Sequence, residues 1–158
     1  MNPQNEPEMN PIDDLGKLGE NLVAEWVVSK RGQVLATRWH CPFGEIDVVA
    51  LNPDGDLIFI EVKTRSPRNI DEDGVLAVTR TKQRKLIQSA KLFQLKHPLH
   101  HTRNCRFDIA LVRARSPQSN QDPNRSPNRS HPIGFNRTIG SYDLTLVNYI
   151  INAFDTQR

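Results

Sequence analysis

The chain has 158 residues, 37% of them hydrophobic, with 21 Lys and Arg against 18 Asp and Glu for a formal charge of +3. That length suits one domain with a core of its own and leaves little room for a second. No apolar run approaches the roughly 20 residues of a membrane span, which excludes an integral helical membrane protein.

The opening, MNPQNEPEMNPIDD, is polar and acidic and lacks the apolar centre of a secretion signal, so cytoplasmic residence is expected. Residues 1–12 read as a disordered lead-in and 13–158 as a single domain. Asp13 or Asp14 offers an N-cap, after which Leu15, Leu18, Leu22 and Trp26 recur at helical spacing until Gly32. Gly16 and Gly19 cost helix propensity, which implies close approach to another part of the backbone. Glu20 lies off the apolar stripe, facing either water or the rim of whatever packs there. Helix geometry alone favours water.

Gln33–His40 reads as a strand, broken by Cys41-Pro42-Phe43-Gly44. Two runs rich in Val, Ile and Phe follow, Glu45–Leu51 and Leu57–Thr64, separated by Asn52-Pro53-Asp54-Gly55-Asp56. They predict an antiparallel hairpin. A three-residue loop with Gly55 in the left-handed region pairs Asn52 with Asp56, Leu51 with Leu57, Val49 with Phe59 and Asp47 with Glu61. Strict alternation then sets Glu45, Asp47, Glu61 and Lys63 on one face, and Ile46, Val48, Ile58, Ile60 and Val62 on the other.

Two carboxylates opposite each other on adjacent strands repel, and a compensating cation is needed to hold them there. Oxygen ligands without neighbouring Cys or His suit Mg2+, with Mn2+ able to substitute. Asp47 and Glu61 are therefore the expected metal ligands. Lys63 shares their face, where its ammonium would hold a phosphate oxygen or an attacking hydroxide. A metal so placed supplies both needs of phosphodiester hydrolysis, a nucleophile and charge stabilisation on a phosphoryl oxygen.

Ser66 to Gly74 reads as a mobile polar loop beside that site, able to admit or clamp a substrate, or as an ordinary surface connection. Thr79 caps a helix running to about Lys96, ahead of Pro98, with Leu86, Ala90 and Phe93 as its buried stripe. Arg80, Lys82, Arg84, Lys85, Lys91 and Lys96 make it the most basic element. Arg80 and Lys82 oppose the helix dipole at its first turn, so phosphate contact explains them better than helix stability does. Lys82 extends the buried stripe backwards and leans inward, with Gln83 as the other candidate. His97, His100 and His101 fit no zinc spacing, and Cys41 and Cys105 read as reduced thiols.

Cys105–Ala114 returns to strand pattern, with Arg106 and Asp108 on one face as a salt bridge in preference to a catalytic pair. Arg115 to Arg137 is dense in Pro, Ser and Asn and reads as a disordered basic insertion. Tyr142–Ile150 alternates as a last strand, and Ile151–Phe154 is expected to close the core as a short helical turn. The fold class is α/β, a central mixed β-sheet flanked by helices.

Asp47 followed after a turn by Glu61-Val62-Lys63 resembles the Asp…Glu-X-Lys signature of the PD-(D/E)XK nucleases. The chain is more closely similar to the YraN-like bacterial proteins, predicted endonucleases distantly related to the archaeal Holliday junction resolvases. The resemblance runs from Gly16-Lys17-Leu18-Gly19-Glu20 through Gly44-Glu45-Ile46-Asp47 and Phe59–Arg65 to Lys82, Arg106-Phe107-Asp108 and Asn152-Ala153-Phe154. It covers nearly the whole chain outside the tail and the insertion. It implies a restriction-endonuclease-like core, Asp47 and Glu61 as metal ligands, Lys63 as catalytic lysine and Glu20 as an additional catalytic acid.

The expected function is a Mg2+-dependent endonuclease cutting DNA, branched or distorted, with Arg65, Lys82, Arg84 and Lys85 on flanking phosphates. A homodimer is the analogy-based expectation, and no membrane partner is expected. The alternative is a nucleic-acid-binding or assembly module that keeps the fold without cutting. A small-molecule phosphoesterase is a third reading.

Overall fold

The computed structural model describes residues 11–66, 78–116 and 133–155, with side chains from Leu15 onward. The 67–74 part of the expected polar loop, the 117–132 part of the expected insertion and residues 1–10 of the tail lie outside those ranges. The described residues form helix α1 (Pro11–Ser29), strands β1 (Gln33–Cys41), β2 (Gly44–Leu51) and β3 (Leu57–Arg65), helix α2 (Arg80–Lys96), a 3-10 turn (Pro98–His100), then β4 (Cys105–Arg115), β5 (Phe135–Ile139) and β6 (Tyr142–Phe154). They make one six-stranded sheet in the order β1-β2-β3-β4-β6-β5. All neighbours are antiparallel except β3 and β4, which run parallel because α2 carries the chain across between them. This is the mixed sheet flanked by helices that the pattern predicted. No helix of the described residues is long and apolar enough to cross a membrane.

The sheet has one helix against each face. Leu22, Val23 and Val27 of α1 pack with Val48, Ala50, Ile58, Ile60, Ala110, Val112, Leu144 and Leu146. Leu86, Ala90 and Phe93 of α2 pack on the other side with Ile46, Val49, Leu57, Phe59, Phe107 and Ile109. The expected α2 stripe is thus the buried one. Thr79 caps α2 as predicted, its Oγ1 accepting from Lys82 N at 3.2 Å.

The β2–β3 hairpin adopts the expected register. Leu51 pairs with Leu57 and Val49 with Phe59. Asn52 N donates to Asp56 O at 3.1 Å, and Gly55 N to Asn52 O at 3.0 Å, with Gly55 at a φ of 88° that glycine tolerates freely. The Asn52 and Asp56 side chains add two more bonds across the loop, at 2.8 and 3.1 Å.

Several bounds differ from expectation, most by a residue; the following change the reading. Helix α1 begins at Pro11, ahead of Asp13, since proline's fixed φ and missing N–H suit a first helical turn. β4 continues through Arg115, paired with Asp143. β5 begins inside the span read as insertion, at Phe135. Phe135 and Ile139 pack against the α1-side core, and Gly140-Ser141 turns the chain tightly from Ile139 to Tyr142, Gly140 having a φ of 56°. Ile151–Phe154 is strand and not a helical turn: Phe154 pairs with Phe107, their rings stacked at 4.8 Å. Asn152 takes a φ of 52° there and offsets the register, a conformation asparagine tolerates better than most side chains.

Candidate metal centre and cleft

Strict alternation fails at one residue of β2, and the site is built around it. Ile46 packs with Val49 on the α2 side, while Val48 packs with Ala50 on the α1 side. Residues 46 and 48 should share a face, so the period-two pattern slips at Asp47. This corrects the expectation that Ile46 and Val48 fill one face together. The antiparallel pairing of β2 with β3 reaches Val48 and Ile60. Just past it, the Asp47 carboxylate takes over the ladder's role, Oδ2 accepting from Val62 N at 2.7 Å. Asp47 is thereby held between the strands where they part.

Helix α1 supplies the next acid. A Cβ added at Gly19 would collide with Thr64 Oγ1, so only glycine lets α1 approach β3 this closely. That approach seats the following residue, Glu20, which is 7% exposed. Glu20 is therefore buried, against the solvated placement that helical projection favoured. The close approach at Gly19 is to the Thr64 side chain and not, as expected, to another backbone, and at Gly16 an added Cβ meets nothing within 4 Å among the described residues. Gly19→Ala is expected to destabilise the protein by about 1–3 kcal/mol, the usual range for overpacking, measured by chemical denaturation.

Carboxylate oxygens of Glu20, Glu45 and Asp47 all lie within 4.8 Å of one another. Glu61 completes the acidic group from β3, and Lys82 leans inward from α2 to place Nζ 3.3 Å from Glu61 Oε2. Arg38, at a φ of 49°, reaches Glu20 Oε2 at 3.5 Å and Glu45 Oε1 at 3.4 Å. His40 Nε2 meets the other Glu45 oxygen at 2.8 Å. Despite these ion pairs, Glu20 Oε2 and Glu61 Oε2 are buried without an aligned hydrogen bond among the described residues. Burial, then the charge of Glu61, pushes the Asp47 carboxyl up to about 7. Burial raises Glu20 as well; Arg38 lowers it, and Glu45 and Glu61 add to the rise.

Of the acids, Glu61 lines a cleft of about 360 Å³ between Leu15–Gly16 of α1 and the Glu61–Ser66 end of β3. Lys63 and Arg65 line it. Of the residues expected to touch nucleic acid, Lys82 joins the acid group itself, whereas Arg84 and Lys85 are exposed on α2 and form no part of the cleft lining. Arg106 and Asp108 form the expected salt bridge at 3.1 Å, and Asp108 also accepts from Tyr149 and Asn152, a structural hub.

The donor set suits a hard divalent ion. It is all carboxylate oxygen, buried at Glu20 and half-buried at Glu45, Asp47 and Glu61, and two of its oxygens lack an aligned hydrogen bond among the described residues, which an added cation would relieve. Two members went unassigned as site residues from sequence. Glu45 had a usable signal, since it stands two residues before Asp47. Arg38 had none, because nothing in the sequence marks a left-handed arginine.

The chain matches the family model described as "Uncharacterised protein family UPF0102" over residues 19–112. It is 39% identical over 159 residues to a UPF0102 protein of Trichodesmium erythraeum, covering 89% of this chain and 88% of that one. With a UPF0102 protein of Synechocystis sp. it shares 39% identity over 148 residues, covering 90% and 99%. A chain of a solved structure described as "Structure of EndoMS-dsDNA2 complex" is 12% identical, covers 67% of this chain and 38% of that one, and has a TM-score of 0.29.

Proposed function

The chain belongs to the UPF0102 family, that of the YraN-like proteins, and for this member we propose a metal-dependent endonuclease that hydrolyses DNA phosphodiesters, with branched or distorted DNA as the expected substrate. The observation that carries the proposal is the gathering of Glu20, Glu45 and Asp47 within 4.8 Å of one another, with Glu61 near enough for its charge to act on Glu20 and Asp47 and itself lining a cleft with Lys63 and Arg65. Four acids so placed cost stability unless a cation joins them. The resemblance to the Asp…Glu-X-Lys nucleases gives that cation a task.

Mg2+, or Mn2+ in its place, held by Asp47 and Glu61 would lower the pKa of a bound water and offset charge on a phosphoryl oxygen. Lys63 orients the attacking water or neutralises charge that develops on the phosphate. Glu20 adds a buried acid beside Asp47. Lys82 holds Glu61 in place by their ion pair, and Arg65 meets a neighbouring phosphate at the mouth of the cleft. Arg84 and Lys85, exposed on α2, would meet phosphates farther along the strand. A homodimer would offer two such clefts to a two-fold symmetric junction.

One observation favours the second reading, a binding module without turnover: Lys82 and Arg38 already neutralise part of the acid group. Incubation of the purified protein with branched, single-stranded and linear duplex DNA, in Mg2+, Mn2+ or chelator, separates the two. Cleavage that requires metal is expected, falling by at least about 100-fold in Glu61→Ala and in Lys63→Ala. DNA binding without cutting under every condition would favour the module, and cutting in chelator would overturn the metal-dependent proposal.

A further inference from the structure

Among the described residues, Arg38 is the one basic side chain that bridges two members of the acid group, and it does so from a backbone conformation that side-chain-bearing residues avoid. The conformation has its counterpart in β2: β1 changes face at Arg38, Trp39 joining Ile46 on the α2 side, where β2 slips at Asp47. Trp39 pairs with Ile46, and Thr37 with Val48, in ordinary antiparallel register, so β1 continues past the left-handed residue without turning. What the strand pairing does not set is where the side chain ends: the Arg38 guanidinium lies against Glu20 Oε2 and Glu45 Oε1.

Those three carboxylates would otherwise be the natural place for a second cation, with Asp47 shared between it and the ion at Glu61. A divalent ion there needs oxygens at about 2.0–2.1 Å on several sides. Arg38 already takes up two of the three carboxylates, and a guanidinium stays charged at any working pH. Resting on the metal-dependent reading above, we propose that Arg38 is a built-in cation occupying the second ion position, so that this protein binds one divalent ion and not two. Its planar head neutralises Glu20 and Glu45, leaving Asp47 free to serve the ion at Glu61. Arg38 is in this sense a positioning residue, since it acts through the carboxylates it holds.

The test is a count of bound Mn2+ by electron paramagnetic resonance of the full chain at increasing Mn2+. One ion per chain is expected for the wild type. Arg38→Gly keeps the left-handed backbone without strain and removes the guanidinium, and it should bind two. Arg38→Lys retains a cation and should stay at one. Two ions on the wild type, or one on a folded Arg38→Gly, would overturn the inference while leaving the nuclease reading intact. No ion on the wild type would sink the metal-dependent reading itself. Arg38→Asn, another side chain tolerant of positive φ, carries the same readout if the glycine variant loses its circular dichroism. If neither variant folds, the wild-type count decides.

Discussion

Asp47→Asn should make the metal-free protein more stable at pH 8 and abolish metal-dependent cleavage. Burial and the neighbouring charge of Glu61 push the Asp47 carboxyl up to about 7 in the folded state, whereas in the unfolded chain it titrates in the ordinary aspartate range. At pH 3 both states hold the proton, and the acid costs the fold nothing. Between about pH 4 and pH 7 the unfolded chain releases the proton first, so the folded state binds more protons and stability falls as pH rises. Above about 7 the full cost stands, at most about 4 kcal/mol. Asparagine keeps an oxygen to accept from Val62 N and carries no charge to repel Glu61. In chelator, the stability difference between variant and wild type should therefore grow through that window and level off above it, as read by urea denaturation at several pH values. Added Mg2+ should reverse the order, because an ion that binds only the folded wild type stabilises it by mass action. A difference that does not vary with pH would mean that Asp47 is not held among like charges.

The β2–β3 hairpin was legible because every local signal agreed: branched and aromatic residues in two runs, and an Asn-Pro-Asp-Gly-Asp turn that admits few registers. From it came Asp47, Glu61 and their proximity. The slip at Asp47 was not legible, since alternation is the assumption by which faces are read and an irregularity erases the rule itself. The burial of Glu20 was hidden for a different reason. It depends on a contact between Gly19 and Thr64, 45 positions apart, which no helical projection contains. The family resemblance pointed to Glu20 where geometry did not. Strand β5 was concealed by its polar surroundings, although Gly140-Ser141 between Ile139 and Tyr142 is ordinary hairpin chemistry. Lys82 was read as leaning inward because it extends the Leu86-Ala90 stripe, and the dipole argument assigned it a phosphate; the partner it meets in the fold is Glu61.

Asp108→Ala should cost the fold about 2–4 kcal/mol and leave the chemistry of the cleft standing. Asp108 is 1% exposed and collects three partners on its two oxygens. Arg106 reaches it at 3.1 Å, Tyr149 Oη donates at 2.7 Å, and Asn152 N donates at 2.8 Å from the kink in β6. Alanine leaves the phenol and the kinked amide without that acceptor. Arg106, partly exposed, turns to water, which is why the estimate stays below the loss for a wholly buried pair. The Tyr149 hydroxyl is held protonated well above its usual range by burial first and by the Asp108 charge second. Tyr149→Phe should accordingly cost less, about 1 kcal/mol, since it removes one donor and keeps the ring against Trp26 at 4.4 Å. Asp108→Asn should fall between the two, keeping an acceptor but not the charge that binds Arg106. Cleavage assayed well below the lowered melting temperature should persist in all three, because none of these contacts involves Asp47, Glu61 or Lys63. Loss of cutting by a fully folded Asp108→Asn would move Asp108 from the structural hub into the reaction.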